Sequence, residues 1–167
     1  GGASITEKGI CWATTPNPTL SSNVSRYGTG SASFSWSITG LNPGTVYYVK
    51  AFATNKAGTS YSSEISFTTD AMLATLTTTA ATSITSVSAS SGGNISSDGG
   101  GAISARGVCW STAQNPTVAD SKTSDGTGSG TFASALNALT PSTVYYVRAY
   151  ATNAKGTSYG AQVTFTS

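Results

Sequence analysis

Leu139–Tyr159 reads LTPSTVYYVRAYATNAKGTSY, and the fold is decided inside it. From Thr143 to Asn153 the odd positions carry Tyr145, Val147, Ala149 and Ala151, while the even ones carry Tyr146, Arg148, Tyr150 and Thr152. Period-two alternation marks a strand with one buried face. The set without the arginine is the inward one. A turn at Asn153–Gly156 then leads into a strand ending in Val163 and Phe165, which makes the stretch a hairpin.

Working outward, the same text recurs earlier in the chain. LNPGTVYYVKAFATNKAGTSY occupies Leu41–Tyr61, with Tyr47, Val49, Ala51 and Ala53 inward. GICWATTPNPT at Gly9–Thr19 is answered by GVCWSTAQNPT at Gly107–Thr117, and YGTGSA at Tyr27–Ala32 by DGTGSG at Asp125–Gly130. Residues 1–69 align on 99–167 without a gap and with 32 identities, so the chain is one module written twice. A repeated module is built for length, spacing or display more often than for chemistry.

Composition supports a folded chain. Charged residues are only 8%, a level also met in low-complexity disorder, but 10% are aromatic and Val, Ile and Thr recur in alternation. Arg106–Trp110 has one bulky face (Arg106, Val108, Trp110) and one small face (Gly107, Cys109). With the small face outward, Tyr146 and Tyr150 of a neighbouring strand have room to lie across it, and Trp110 points into the core. Phe132, Ser134 and Leu136 form another inward set, and Trp36 stands where the first copy would repeat Ser134. Ala74–Thr82 and Ser86–Ile95 read as two further strands. About seven short strands per module, with turns between them, predict an antiparallel β-sandwich.

The pattern Leu139-x-Pro141-x-Thr143-x-Tyr145-x-Val147-x-Ala149-x-Ala151-x-Asn153, matched from Leu41 to Asn55, resembles the E–F corner and F strand of fibronectin type III domains. With its GxCW, NPT and DGTG elements, the module is similar to fibronectin III-like repeats of bacterial secreted and cell-surface proteins. The resemblance implies an all-β chain of two tandem immunoglobulin-like (fibronectin type III-like) antiparallel β-sandwiches. It also implies that Tyr47 and Tyr145 make the structural corner, each hydrogen-bonding backbone upstream. One departure is visible: Trp110 lies on the third strand, whereas the family's usual core tryptophan lies on the second.

The copies are unequal in extent. Ala71–Asp98, which supplies the second module's first two strands, has no counterpart before Gly1. The domains are therefore read as 1–69, an incomplete module with strands C to G; 70–73, a short linker; and 74–167, a complete module. The linker has no Gly or Pro, so the two modules are expected to be joined semi-rigidly. Without the first two strands, Phe34, Trp36 and Ile38 face a vacant groove. The covering strands either precede Gly1 in a longer parent chain or come from another chain by strand addition, which would build a head-to-tail homopolymer.

Sites for chemistry are scarce. The chain has no His, which removes the Ser–His and Cys–His nucleophile pairs and His general bases. Its six carboxylates (Glu7, Glu64, Asp70, Asp98, Asp120, Asp125) do not repeat between copies. Asp120, Asp125 and Asp98 with the Gly-rich loop have the oxygen chemistry of a calcium site, but the first copy makes the same turn with Ser22 and Tyr27, so they read as turn-formers. No catalytic residue, metal or cofactor is expected. Eight scattered basic residues make no nucleic-acid footprint, and no apolar run reaches the ~18 residues of a membrane span. Cys11 and Cys109 fall one per module and read as buried, unreactive thiols rather than a disulfide. The remaining candidate is an outward aromatic face of Tyr48, Phe52, Tyr146 and Tyr150, either a binding face for glycan or protein or cross-strand pairing that shields the sheet.

The sequence thus points to a non-catalytic structural or spacer repeat of an exported bacterial surface protein: a stalk, adhesin or filament segment. The alternative is a carbohydrate- or protein-binding accessory module of a secreted multidomain enzyme.

Overall fold

A computed structural model describes residues 3–167, and every element in it is a β-strand. Contacts divide the chain into two compact units, Gly1–Asp70 and Ala71–Ser167.

The second unit contains β6 (Thr75–Thr82), β7 (Ser88–Ser97), β8 (Ala105–Ser111), β9 (Ser121–Lys122), β10 (Gly130–Asn137), β11 (Val144–Asn153), β12 (Gly156–Tyr159) and β13 (Val163–Thr166). They form a three-stranded sheet in the order β10-β7-β6 and a five-stranded sheet in the order β12-β11-β8-β9, with β13 also on β11. All pairs are antiparallel. The two sheets enclose one core, in which Leu76, Ala89, Ile95 and Leu136 of the smaller sheet meet Val108, Tyr145, Val147, Ala149 and Phe165 of the larger. Trp110 packs against this cluster. It pairs in register with Val147 and so shares the core face.

β7 is able to run through the middle of this sandwich because of Gly92 and Gly93. A Cβ on Gly93 would come within 2.7 Å of the Ala149 Cβ and 3.0 Å of the Phe132 ring. Real side chains do not approach so closely, so the sequence places its glycine pair where the strand passes β10 and β11.

The first unit contains β1 (Glu7–Ala13), β2 (Asn23–Gly28), β3 (Val46–Asn55), β4 (Gly58–Tyr61) and β5 (Ile65–Thr68). These make one five-stranded antiparallel sheet, β2-β1-β3-β4, with β5 also on β3. It corresponds strand for strand to the larger sheet of the second unit. Among the described residues nothing corresponds to β6 or β7. Residues 31–39, which occupy the place of β10, form no strand. Reading that segment as strand E of the first module is therefore corrected. The physical reason is that β10 takes its hydrogen bonds from β7, and an unpaired strand has no ladder to hold it.

Residues 71–73, read as part of a linker, hydrogen-bond into the second unit: the Met72 amide donates to the Gly99 carbonyl at 2.8 Å.

Candidate functional site

The outer aromatic face needs correction first. Phe52 is only 2% exposed and Tyr150 only 4%, so neither belongs to an open binding face. Tyr150 pairs in register with Gly107, and Phe52 with Gly9. Each ring lies over its glycine: a Cβ at Gly107 or Gly9 would sit 2.9 Å from a ring carbon. The Tyr150 hydroxyl also donates to the Thr123 carbonyl at 2.7 Å. Burial, reinforced by the Asp125 charge, pushes its pKa upward. Tyr48 and Tyr146 remain half-buried. Beside Tyr146, Arg148 stacks on Tyr159 at 4.6 Å and donates from Nε to the Gly160 carbonyl.

The corner residues sit in matching geometries. The Asn42 amide donates to the Tyr47 hydroxyl at 3.1 Å, and the Thr140 amide to the Tyr145 hydroxyl at 3.0 Å. Each tyrosine stacks on a phenylalanine of the last strand, Phe67 or Phe165, with centroids 6.0 and 5.8 Å apart. A buried hydroxyl that satisfies a loop amide fixes the entry into β3 and β11 without a helix or disulfide.

The GxCW and NPT elements pack on each other. Cys109 is fully buried and its thiol donates to the Pro116 and Arg148 carbonyls; Cys11 donates to the Lys50 carbonyl. Burial pushes the Cys109 thiol up to about 11 and raises that of Cys11. Asn17 and Asn115 adopt positive φ (62° and 58°), and their amides donate to the side-chain oxygens of Glu64 and Gln162 respectively. Sequence reasoning missed this brace. Its signal was present: a proline-preceding asparagine and a Glu/Gln stand 47 residues apart in both copies.

The acidic residues do not converge. Asp125 accepts from the hydroxyls of Thr123 and Ser134, Asp120 from the amide and hydroxyl of Thr117, and Asp98 from the Gly100 amide. Asp120 and Asp98 are local turn acceptors, while Asp125 also ties its turn to β10 through Ser134. A concavity of about 570 Å³ in the second unit, between Trp110, Asn137 and Tyr145, carries one carboxylate, Asp120, beside Lys122. Glycoside cleavage requires two.

The open side of the first unit's sheet differs most from its counterpart. Phe67 is 39% exposed where Phe165 is 8%, and Ile65 reaches 65%. Trp36 is 50% exposed, Phe34 and Ile38 are half-buried. Phe34 stacks on Tyr27 at 5.0 Å, and Trp36 meets the same ring edge-on at 5.9 Å. The Lys8 ammonium lies 5.6 Å from the centres of both Tyr27 and Phe34 and donates to the Ala32 carbonyl. In the second unit Asp125 and Ser134, a hydrogen-bonded pair, occupy the positions of Tyr27 and Trp36. The first copy has thus exchanged a part-buried polar pair for an aromatic one. A cavity of about 480 Å³ opens beside this cluster, lined by Ile5, Lys8, Phe34, Ala53 and Tyr61. Ile38 is not part of the aromatic contacts.

No family model matches the chain. No curated protein matches it either. Among solved structures it is similar to the chicken CNTN1 FN1-FN3 domains, with 15% identity and a TM-score of 0.47. The match covers 96% of this chain and 53% of the other, so the chain spans about half the length of that structure.

Proposed function

We propose that the chain is a non-catalytic spacer repeat of an exported bacterial surface protein, a stalk, adhesin or filament segment, with the first unit's open sheet as its joining end. One observation carries this reading: the most distinctive side chains repeated between copies are spent on the interior and the corners. Tyr47 and Tyr145 hold loop amides, and Cys11 and Cys109 are enclosed in the sheet. Phe52 and Tyr150 cover glycines rather than face solvent. A module whose repeated corner tyrosines, buried cysteines and ring-over-glycine contacts maintain the fold acts by being folded and carrying load.

Single-molecule stretching tests this. The second unit should give one cooperative unfolding step, lengthening the chain by about 300 Å at ~3.3–3.6 Å per residue. Gradual extension without such a step would overturn the spacer reading.

The accessory-module reading keeps a smaller face, Tyr48 with Lys50 and Tyr146 with Arg148, which remain half-buried. A glycan array or pull-down showing saturable binding, lost in Tyr146→Ala with the fold intact, would favour it over a spacer.

A further inference from the structure

The second unit is closed by two sheets, and the edges of those sheets differ in length. β9 is the edge of the larger sheet and β10 an edge of the smaller. β9 is only two residues long, with Ser121 paired to Trp110 and Lys122 to Cys109. The concavity of about 570 Å³ is lined from both edges, and its size falls within the ~300–1,000 Å³ of small-molecule clefts. Neither β6 nor β13, the unit's first and last strands, lines it, so residues inside the unit set its opening.

Its lining holds polar groups that the fold does not use. Part of the Trp110 ring packs on the core, but the indole N–H makes no hydrogen bond among the described residues. No buried side-chain nitrogen or oxygen lacks a partner there, so this N–H reaches solvent. The Ser121 hydroxyl and the Asn137 amide are exposed and equally uncommitted. Asp120 spends Oδ2 on the amide and hydroxyl of Thr117 and keeps Oδ1 free. Lys122 is engaged, its Nζ donating to the Val118 carbonyl at 2.7 Å. The result is an indole wall beside free donors and acceptors, with the charges of Asp120 and Lys122 cancelling.

Two further observations set this place apart from the repeat. The first copy keeps the indole, as Trp12, but carries Ser22, Val24 and Thr39 where the second has Asp120, Lys122 and Asn137. The polar rim is therefore the second unit's own and is not needed to fold the module. Ala138, whose methyl lines the concavity, holds a positive φ of 57°, where the first copy places Gly40 at 71°. A left-handed backbone is free for glycine and strained for alanine, and such strain gathers at ligand-binding places.

We infer that this concavity is a binding site for a neutral saccharide, which lies against Trp110 and is hydrogen-bonded by Asp120, Ser121 and Asn137. A sugar ring has the matching chemistry: a face of C–H groups for the indole, and hydroxyls that both donate and accept. An anionic ligand meets the Asp120 carboxylate while the neighbouring ammonium is held by Val118. The site goes beyond the spacer reading and is independent of it, since the stretching result on the second unit stands whether or not a sugar binds. It is also distinct from the outward face of Tyr146 and Arg148, neither of which lines the concavity.

The test titrates the full chain, isotope-labelled, with cellobiose, maltose, lactose and diacetylchitobiose, and with a hexose phosphate as the charged counterpart. Expected for at least one disaccharide are saturable resonance shifts at the Trp110 indole N–H, Ser121 and Asn137, with an affinity of about millimolar and Trp12 unmoved. The Asn137→Thr chain carries the first copy's residue at an exposed position, so its urea midpoint should be unchanged. It should bind that sugar about tenfold more weakly, the loss of one hydrogen bond. The inference is overturned by any of four results: no saturable shift with any of the disaccharides, tighter binding of the hexose phosphate, unchanged affinity of the Asn137→Thr chain, or shifts at Tyr146 and Arg148 in place of Trp110. The last would put the sugar on the outward face instead.

Discussion

Leu136 and Ile38 stand at the same position of the repeat, and truncating each to alanine separates the two units' energetics. Leu136 is fully buried within the closed core of the second unit. Its neighbours include Ile95 and Val108, which are as deeply enclosed and cannot easily collapse into a void. Leu136→Ala should therefore cost about 2–5 kcal/mol, the transfer of the lost carbons plus the cavity left behind. That is a large share of the ~5–15 kcal/mol that holds a domain folded. Ile38 is half-buried in a segment with no strand partner, so Ile38→Ala forfeits little burial and leaves no enclosed void. About 1 kcal/mol or less is expected. Urea unfolding followed by amide resonances of each unit reads the two costs separately. Equal losses would refute the reasoning, because they would mean that Ile38 sits in a core as closed as Leu136 does.

Three further outcomes follow from the same geometry. Tyr145→Phe and Tyr47→Phe leave the Thr140 and Asn42 amides without their side-chain acceptor, and each should lower the stability of its unit by about 1–2 kcal/mol in the same urea assay. Gly107→Val places carbon 2.5 Å from the Thr123 carbonyl and against the Tyr150 ring, so it should destabilise the second unit by at least ~1–3 kcal/mol and expose Tyr150 to quenchers. Burial, opposed by the Arg148 charge, moves the Cys109 thiol from 9.0 to about 11. The unfolded chain releases this proton first, so stability is full below about pH 9 and falls as the pH rises towards about 11; Tyr150, raised in the same direction, adds to the fall at higher pH. Alkaline urea titrations should show this decline, flattened in Cys109→Ala, and a pH-independent midpoint would contradict it.

The strands most legible from residue order were those with a clean period of two. Tyr145, Val147, Ala149 and Ala151 are all buried, as alternation requires, while Val144 remains exposed. The small face of Gly107 and Cys109 was likewise readable, since a neighbouring ring needs the space a glycine leaves. Alternation alone leaves the next step open. Of the two readings of the outward aromatic face, cross-strand cover fits Phe52 and Tyr150, because a ring lying flat over a glycine is covered although it points away from the core. Alternation reports direction, not cover. Residues 31–39 failed for a different reason: the pattern at Phe34, Trp36 and Ile38 is that of a strand, but strand formation depends on a partner that local pattern does not contain. The exchange of Asp125–Ser134 for Tyr27–Trp36 was half visible as a serine-to-tryptophan change. Its partner change was separately visible at Tyr27, but only spatial proximity makes them a pair. The Glu64 and Gln162 braces were hidden because a carboxylate and an amide look unlike in sequence while offering the same oxygen.

Amide hydrogen exchange on the full chain tests most directly the claim that one pattern is written twice and closed only once. Slow exchange is predicted across 88–97 and 130–137, with exchange in residues 31–39 complete before the first time point, although 34–38 carry the same alternation as 132–136. Protection of 31–39 equal to that of 130–137 would contradict the account, for it would show the first sheet already closed.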